Sequence, residues 1–314
     1  MILLVIPAVV LAVISLGSFA GRWFWWLDVL ANFRAQYVVG LFVLGVLIAA
    51  SSRWRRTGLA ILAVALVNLV FVAPLFVGSP GEGTAGAADL RVLNLNLLSN
   101  NESYNEVIEY IEALEPDLVF LHEASRPWEV AMETSGLGYE IVRGRSDELI
   151  FGTLVMARES IEAVSYGFAE GQARAIALVY QPEGWPVPVN VLSSHPLAPT
   201  TAERASLRDA QLEFAARWAS EQEGPFFVVG DLNASPWSWP FRNLVSEGGL
   251  RNSQIGFGLQ PTFPATSVGL LRVPIDHLLH SDEVLVRDRR LGASLGSDHF
   301  SLIVDLEHSP PLDP

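Results

Sequence analysis

FFVVGDLNASPWS, Phe226 to Ser238, is the stretch whose reading decides the fold of this chain. Phe226 to Val229 is a short apolar run of strand-forming residues, the pattern of a buried strand. Gly230 then allows the backbone to bend or to approach a neighbour closely. Asp231 and Asn233 emerge at the strand's C-terminal edge, two residues apart and so on one face. A turn of small residues follows at once. Taken alone, such a tripeptide is most often a solvated strand end, so the rest of the chain has to decide.

Outward from this stretch, the same kind of segment recurs. LRVLNLNLL (90–98) alternates and stops at SNNES, which predicts a strand running into a helix cap. Ser103 and Glu106 have capping-box spacing ahead of Val107, Ile108, Ile111 and Leu114, a helix that ends before Pro116. DLVFLHEAS, LIFGTLVMA, AIALVYQ, PVNVLSSH, IDHLLHS and FSLIVDL read as further strands. Thr201 to Ser220 reads as an amphipathic helix with Leu207, Leu212, Phe214 and Trp218 on its apolar side. The expectation is a strand-rich α+β domain over residues 89–314, long enough to bury a substantial core.

The first 78 residues are of another kind. They hold five arginines and one acid, Asp28, whereas the remainder holds fifteen arginines against 33 acids, so a basic segment of net charge +4 precedes an acidic one of −18. Three apolar runs, Ile2 to Ala20, Tyr37 to Ala50 and Leu59 to Val77, approach or reach the roughly 20 helical residues that span a bilayer. Trp23, Phe24, Trp25, Trp26 and Trp54 lie at the ends of these runs, where amphipathic rings settle at the headgroup level. Residues 1–78 therefore read as a transmembrane anchor of three helices. Ile2 to Ala20 lacks the basic start of a signal peptide and reads as an uncleaved helix. The short SSRWRRTG loop, with three arginines, is expected to stay cytoplasmic, which carries everything after the third helix to the other side of a cell inner or plasma membrane. Gly78 to Asp89 is rich in Gly, Ala and Pro and predicts a flexible linker over 79–88. The chain has no cysteine, which excludes disulfides and thiolate metal sites.

The strand ends share one chemistry. Asn96 lies in the first strand, Glu123 ends the second, and His195 ends PVNVLSSH. Asp231 and Asn233 follow FFVVG, Asp276 opens IDHLL, and Asp298 and His299 precede the last strand. Acids, amides and imidazoles at successive strand ends suggest one polar cluster at a common edge. LNLN, PDLVFLHEAS, SSHP, VVGDLNASP, IDHLLHS and GSDHFSLIV resemble, in this order, the signature segments of the endonuclease/exonuclease/phosphatase superfamily, the DNase I-like group that includes sphingomyelinases and inositol polyphosphate phosphatases. The likeness covers Leu90 to about Leu306, and the N-terminal anchor resembles that of bacterial membrane-bound members.

The resemblance implies a four-layer α/β/β/α sandwich of two packed mixed sheets flanked by helices, cutting phosphoester bonds with Mg²⁺, or Mn²⁺ in its place. Hard divalent ions prefer oxygen ligands, which fits Glu123 as principal metal ligand with Asp298 and Asn96 beside it. His299, its ring held by Asp276, would stabilise charge on the phosphate or act as base. Asp231 would orient or deprotonate the attacking water, Asn233 would donate to a phosphate oxygen, and His195 would donate to another or protonate the leaving group. Many family members have glutamine before the metal glutamate, where this chain has His122, expected either to orient Glu123 or simply to be accommodated in the fold. A domain at −18 without lysine is a poor clamp for duplex DNA, although RGR (Arg143, Arg145) and RDRR (Arg287, Arg289, Arg290) could border the site. A phosphodiesterase on the bilayer is the leading expectation, its substrate a lipid headgroup, a nucleotide or nucleic acid. An extracytoplasmic nuclease and a catalytically inactive membrane-tethered binding module are the alternatives.

Overall fold

The computed structural model of the chain describes residues 1–78, 90–144, 151–167 and 175–309. The expected linker at 79–88 and Arg145 lie outside these described residues.

The N-terminal part is helical: α1 (Ile2–Gly17), α2 (Trp25–Ala31), α3 (Arg34–Ala49) and α4 (Arg55–Val72). Two segments, Ile2–Ala20 and Ser52–Phe76, are long and apolar enough to cross a membrane, with a mean hydropathy of 2.7 each; α2 and α3, bent by 67°, add a third if taken as one span. The short α2, inside the expected first loop, is an element that hydropathy alone did not separate. Small residues let these helices approach closely. A Cβ on Gly58 would lie 2.3 Å from the backbone nitrogen of Ala49, so α3 and α4 touch main chain to main chain. Polar groups face inward: buried Arg34 donates to Asn68 Oδ1 and to Ser18 Oγ, and its guanidinium lies over the Phe19 and Phe71 rings. Leu3, Val13, Phe42, Leu66 and Val70 stay exposed on the outside.

The rest of the chain forms β1 (Leu90–Asn96), α5 (Tyr104–Leu114), β2 (Leu118–Ser125), α6 (Arg126–Thr134), β3 (Glu140–Gly144), β4 (Phe151–Ala157), β5 (Glu162–Tyr166), β6 (Ala175–Tyr180), β7 (Val189–Ser193), α7 (Ala202–Ser220), β8 (Phe226–Asp231), α8 (Trp239–Glu247), β9 (Arg251–Asn252), β10 (Asp276–His280), β11 (Val284–Leu291) and β12 (Leu302–His308). They build two six-stranded mixed sheets, β11-β12-β1-β2-β4-β3 and β5-β6-β7-β8-β10-β9. Val92, Phe120 and Val155 of the first sheet pack on Val191, Phe227, Val229 and Leu278 of the second. α5 and α6 cover the outer face of the first sheet, with Val107, Ile111 and Trp128 against Leu93, Leu95 and Val119. α7 and α8 cover the second, with Leu212, Ala215 and Phe241 against Leu192 and Val228. This is the four-layer α/β/β/α sandwich.

Several local expectations change. Ser103 does not cap α5 through its side chain; Asn101 instead accepts the Ser103 backbone N–H with its Oδ1, at 3.0 Å. The buried face of α7 is Ala205, Arg208, Leu212, Ala215, Ala216 and Ala219, with Leu207, Phe214 and Trp218 at its half-buried margins. RDRR is not a loop but part of β11. Arg289 is buried against Ser253, Gln260 and the Asp276 carbonyl, Arg287 pairs with Glu307, and Arg290 pairs with Asp288 and Asp305. Arg143 pairs with Glu129 and Glu133. Of the arginines expected as a possible basic border, Arg143, Arg287 and Arg290 are thus engaged in ion pairs and Arg289 in buried hydrogen bonds.

Candidate active site

Period-two alternation places the site. In β1 the residues sharing the inter-sheet face with Val92 are Asn94 and Asn96; in β2 Phe120 is followed by His122; in β8 Val229 is followed by Asp231; and in β10 Leu278 is preceded by Asp276. One face of four strands thus passes from apolar core to buried polar groups at the same end. Register then sets the neighbours: Asn96 opposite His122 across the parallel β1/β2 pair, and Asp231 opposite Asp276 across the antiparallel β8/β10 pair. Gly230 permits this crowding. Its φ is +151°, and a Cβ there would meet the Ser194 carbonyl oxygen at 1.9 Å.

Asp231 Oδ2 is the hub. Asn96 Nδ2 donates to it at 3.1 Å, Asn233 Nδ2 lies at 3.5 Å, His195 Nδ1 at 3.6 Å and His299 Nε2 at 3.8 Å. Burial and the neighbouring Asp276 carboxylate raise the pKa of Asp231, against the opposing pull of His299 and His195. Asp276 holds His299, with 2.8 Å between Oδ2 and Nδ1. Burial works against a charge on that ring, but Asp276 and Asp231 outweigh it and push the imidazole up to about 9. Asp276 is lowered in turn: burial opposes its charge, and His299 prevails.

Glu123 sits across the hub, its Oε1 accepting from Asn96 Nδ2 at 3.0 Å and its Oε2 from the Ser99 backbone N–H at 3.1 Å. Its backbone is left-handed, with φ of 55°. Burial would raise its carboxyl, yet His195, Asn96 and Ser99 bring it down to about 2. His195 bridges the two acids, Nε2 3.7 Å from Glu123 and Nδ1 3.2 Å from the Asp231 carbonyl; burial opposes its protonation, and Glu123 and Asp231 raise its pKa overall. Asn233 donates to the Pro196 carbonyl at 3.0 Å, so its amide also fastens the turn after His195. Asp298 is half-buried and adds negative field at the adjacent His299 ring. Seven of the eight expected residues therefore form one chain of contacts, with Asp298 joined through its neighbour.

Other members complete the network; His122, for which orienting Glu123 or mere accommodation in the fold was expected, bonds neither carboxylate oxygen of Glu123 but Asn94 and Thr153. His122 lies 2.9 Å from Asn94 Oδ1 and 3.2 Å from Thr153 Oγ1, and burial with His195 nearby lowers its pKa to about 3, so it is neutral. Asn94 Nδ2 passes the connection on to Asp276 at 3.2 Å. The Phe263 ring lies against His299, tilted by 40° with centroids 4.8 Å apart. The position of Asn94, two residues from Val92 and from Asn96, was the available signal for its place on the inner face.

The helical N-terminal part reaches this site. Asp28 of α2 accepts the Trp239 backbone N–H at 2.6 Å and pairs with Arg208 at 2.9 Å, and Arg208 donates to the Asn233 carbonyl at 3.2 Å. Asn32 accepts from the Ser235 backbone N–H, Trp237 donates to the Phe71 carbonyl and Gln36 to the Arg272 carbonyl.

The donor set fits a hard divalent cation. Among the described residues, Asp231, Asp276 and His299 offer ligand-type atoms within 4.8 Å of one another, a different grouping from the expected Asn96, Glu123 and Asp298. In that grouping Asp276 Oδ2 and His299 Nδ1 already engage one another, 2.8 Å apart. Glu123, ionised and more accessible than Asp231 or Asp276, offers oxygen atoms of the kind a hard cation takes.

No curated protein matches the chain in sequence. Solved structures of low identity share the fold. A humanised D. rerio TDP2 carrying 14 mutations superposes with a TM-score of 0.58 at 17% identity, covering 69% of this chain and 98% of that one. The endonuclease/exonuclease/phosphatase from Bacteroides vulgatus gives 0.57 at 19%, covering 70% and 99%. The human Nocturnin catalytic domain with bound sulfate gives 0.55 at 19%, covering 70% and 94%. The sequence model of the Endonuclease/Exonuclease/phosphatase family matches residues 92–299, a span that contains every group in the polar cluster, and the chain belongs to that family of phosphoester hydrolases.

Proposed function

We propose that this chain is a membrane-anchored, divalent-metal-dependent phosphodiesterase in which an activated water attacks phosphorus. The observation that carries the reading is the position of Asp231 Oδ2, within 3.8 Å of both His195 and His299 and bonded to Asn96. Asp231, its pKa raised by burial and by Asp276, takes the proton of the attacking water. His299 carries its proton at neutral pH and donates from Nε2 to a non-bridging phosphate oxygen as charge develops, with Asp276 accepting from Nδ1 and fixing the ring plane. His195 is placed to protonate the leaving oxygen. Asn96 orients Glu123 and Asp231 together, and Asn233 tethers the Pro196 turn and supplies an amide beside Asp231. Glu123, with Asn96 and Asp298, would hold Mg²⁺ or Mn²⁺, which would neutralise the ester's charge and polarise phosphorus.

Placement outside the cytoplasm, on the inner or plasma membrane, is supported by the helices themselves. Their arginine-bearing turn, Arg53 to Arg56, follows the C-terminus of α3, whereas the N-terminus of α3 and the C-terminus of α4 contact the catalytic loops. A nuclease reading draws on D. rerio TDP2, solved with a single-strand DNA product. It is less favoured, since Arg287 and Arg290 of β11 are paired with carboxylates and Arg289 is buried in hydrogen bonds. The test is Mg²⁺-dependent hydrolysis of bis(p-nitrophenyl) phosphate by the full chain. The activity is expected to disappear in His299→Ala and in Asp231→Ala, and its retention in both would refute the roles of these two side chains. Protease access in spheroplasts tests the topology, and complete protection of the catalytic domain would reverse it.

A further inference from the structure

Beside the catalytic centre lies a second, apolar feature. Between α3 and the segment from Leu259 to Pro274 runs a groove of about 110 Å³, walled by Ala35 and Val39 on one side and by Trp237, Leu259, Pro261 and Leu270 on the other. Its lining offers a water few polar partners, and an apolar cavity of this kind takes up apolar matter in preference to water. One wall comes from α3, outside the 92–299 span that the family shares. The turn at Gly269–Leu271 shows its apolar side chains to solvent: Val268 is 69% exposed, Leu270 60% and Leu271 56%. Isolated apolar residues on a surface are ordinary, but three within four positions beside a membrane-type helix form a patch that calls for a partner.

What covers this patch follows from its neighbours. Gln36 donates to the Arg272 carbonyl at 2.8 Å, which fixes the turn against the first turn of α3. From there the exposed flank of α3 continues through Val39 and Val43, each 50% exposed, along a helix that is apolar from Tyr37 to its end. The groove is therefore continuous with a surface made for lipid. The segment that walls the groove also touches the reaction centre: the Phe263 ring lies against His299, and the Ala265 backbone N–H donates to the Asp298 carbonyl at 2.6 Å. Arg272 stands at the boundary, its guanidinium over the Phe300 ring and donating to the carbonyls of Ser267 and Ala265.

We propose that this groove seats an acyl chain of a bilayer phospholipid, with the Val268–Leu271 turn embedded among the lipid tails, so that the phosphoester reaching His299 is that of a membrane lipid drawn sideways from the bilayer. The proposal rests on the membrane-anchored reading for the bilayer, and on the hydrolase reading only in naming the headgroup ester as the bond that is cut; the seat itself is read without turnover. The experiment uses the full chain in nanodiscs of phosphatidylcholine and phosphatidylglycerol, doped with phosphatidylcholine carrying a diazirine on its acyl chain, with photoadducts mapped by peptide mass. Adducts are expected on residues 259–274 as well as on the N-terminal helices. In Leu270→Asp, whose side chain is exposed and whose replacement puts a charge where lipid would lie, adducts at 259–274 are expected to fall by about tenfold or more. Adducts confined to α1, α3 and α4, or labelling of 259–274 unchanged in Leu270→Asp, would overturn the seat. Hydrolysis of bis(p-nitrophenyl) phosphate in the same preparation separates the two ideas: turnover without labelling removes the seat alone, and labelling without turnover of any ester keeps the seat and removes the hydrolase reading.

Discussion

Two carboxylate–imidazole pairs stand on either side of Asp231, and they are built differently. Asp276 and His299 are in full hydrogen-bond contact at 2.8 Å, buried, with Asn94 and the Thr262 hydroxyl occupying the other groups of Asp276 and Phe263 against the ring. Glu123 and His195 are 3.7 Å apart, and Glu123 keeps 23% of its side chain open to solvent. The same two residue types thus give a closed pair that fixes a proton and an open pair with room for a further charge. On the proposed reading, distance and burial separate a fixed acid from a receptor for a cation.

The sharpest way to break this contrast is Asp276→Asn, which leaves the His299 ring with an amide in place of its charge partner. Hydrolysis of bis(p-nitrophenyl) phosphate at neutral pH is expected to drop by about a hundredfold or more, and a loss under threefold would deny the closed pair its role. Glu123→Gln probes the open pair. There the Mg²⁺ concentration for half-maximal rate is expected to rise about ten- to a hundredfold, and an unchanged metal requirement would move the cation elsewhere. Asn94→Ala removes a support of Asp276 without touching substrate, and a loss of about tenfold is expected.

The smallest effect is a shift in pH dependence. His299 has a raised pKa, so its charge is fully present through neutrality and is lost as pH rises through about 9. The rate of the wild-type chain is therefore expected to fall on the alkaline side near pH 9, and the Asp276→Asn variant to lose activity at lower pH. An alkaline limb that stays in place in the variant would show that another group sets it. Glu123, at about 2, contributes no limb in the neutral range.

Much of this was legible in the sequence because alternation carries its information locally. Val229, Gly230 and Asp231 announce a strand that turns from apolar to polar at its end, and the close approach expected of Gly230 is met by the Ser194 carbonyl. The roles of Asn94 and Thr153 were not legible, since each depends on which strand lies opposite and on a ring supplied by His122 from a third position. β11 was missed for a similar reason: VLVRDRRL looks solvated until Asp305, Glu307 and Gln260 are brought beside its arginines. Asp28 read as a lone charge in a loop between apolar runs. Its partner Arg208 is 180 residues away, and only folding shows that it ties the N-terminal helices to the backbone of Asn233.

The central claim is that Asp231 and His299 act as one device on a single phosphorus atom. Groups that work as a unit lose their effect together, so their removals do not multiply. The direct measurement is Mg²⁺-dependent hydrolysis of bis(p-nitrophenyl) phosphate by the full chain in Asp231→Ala, His299→Ala and the double variant. Each single change is expected to cost about a hundredfold or more, with the double variant no slower than the worse single one. Wild-type rates in either single variant, or losses that multiply in the double, would contradict it.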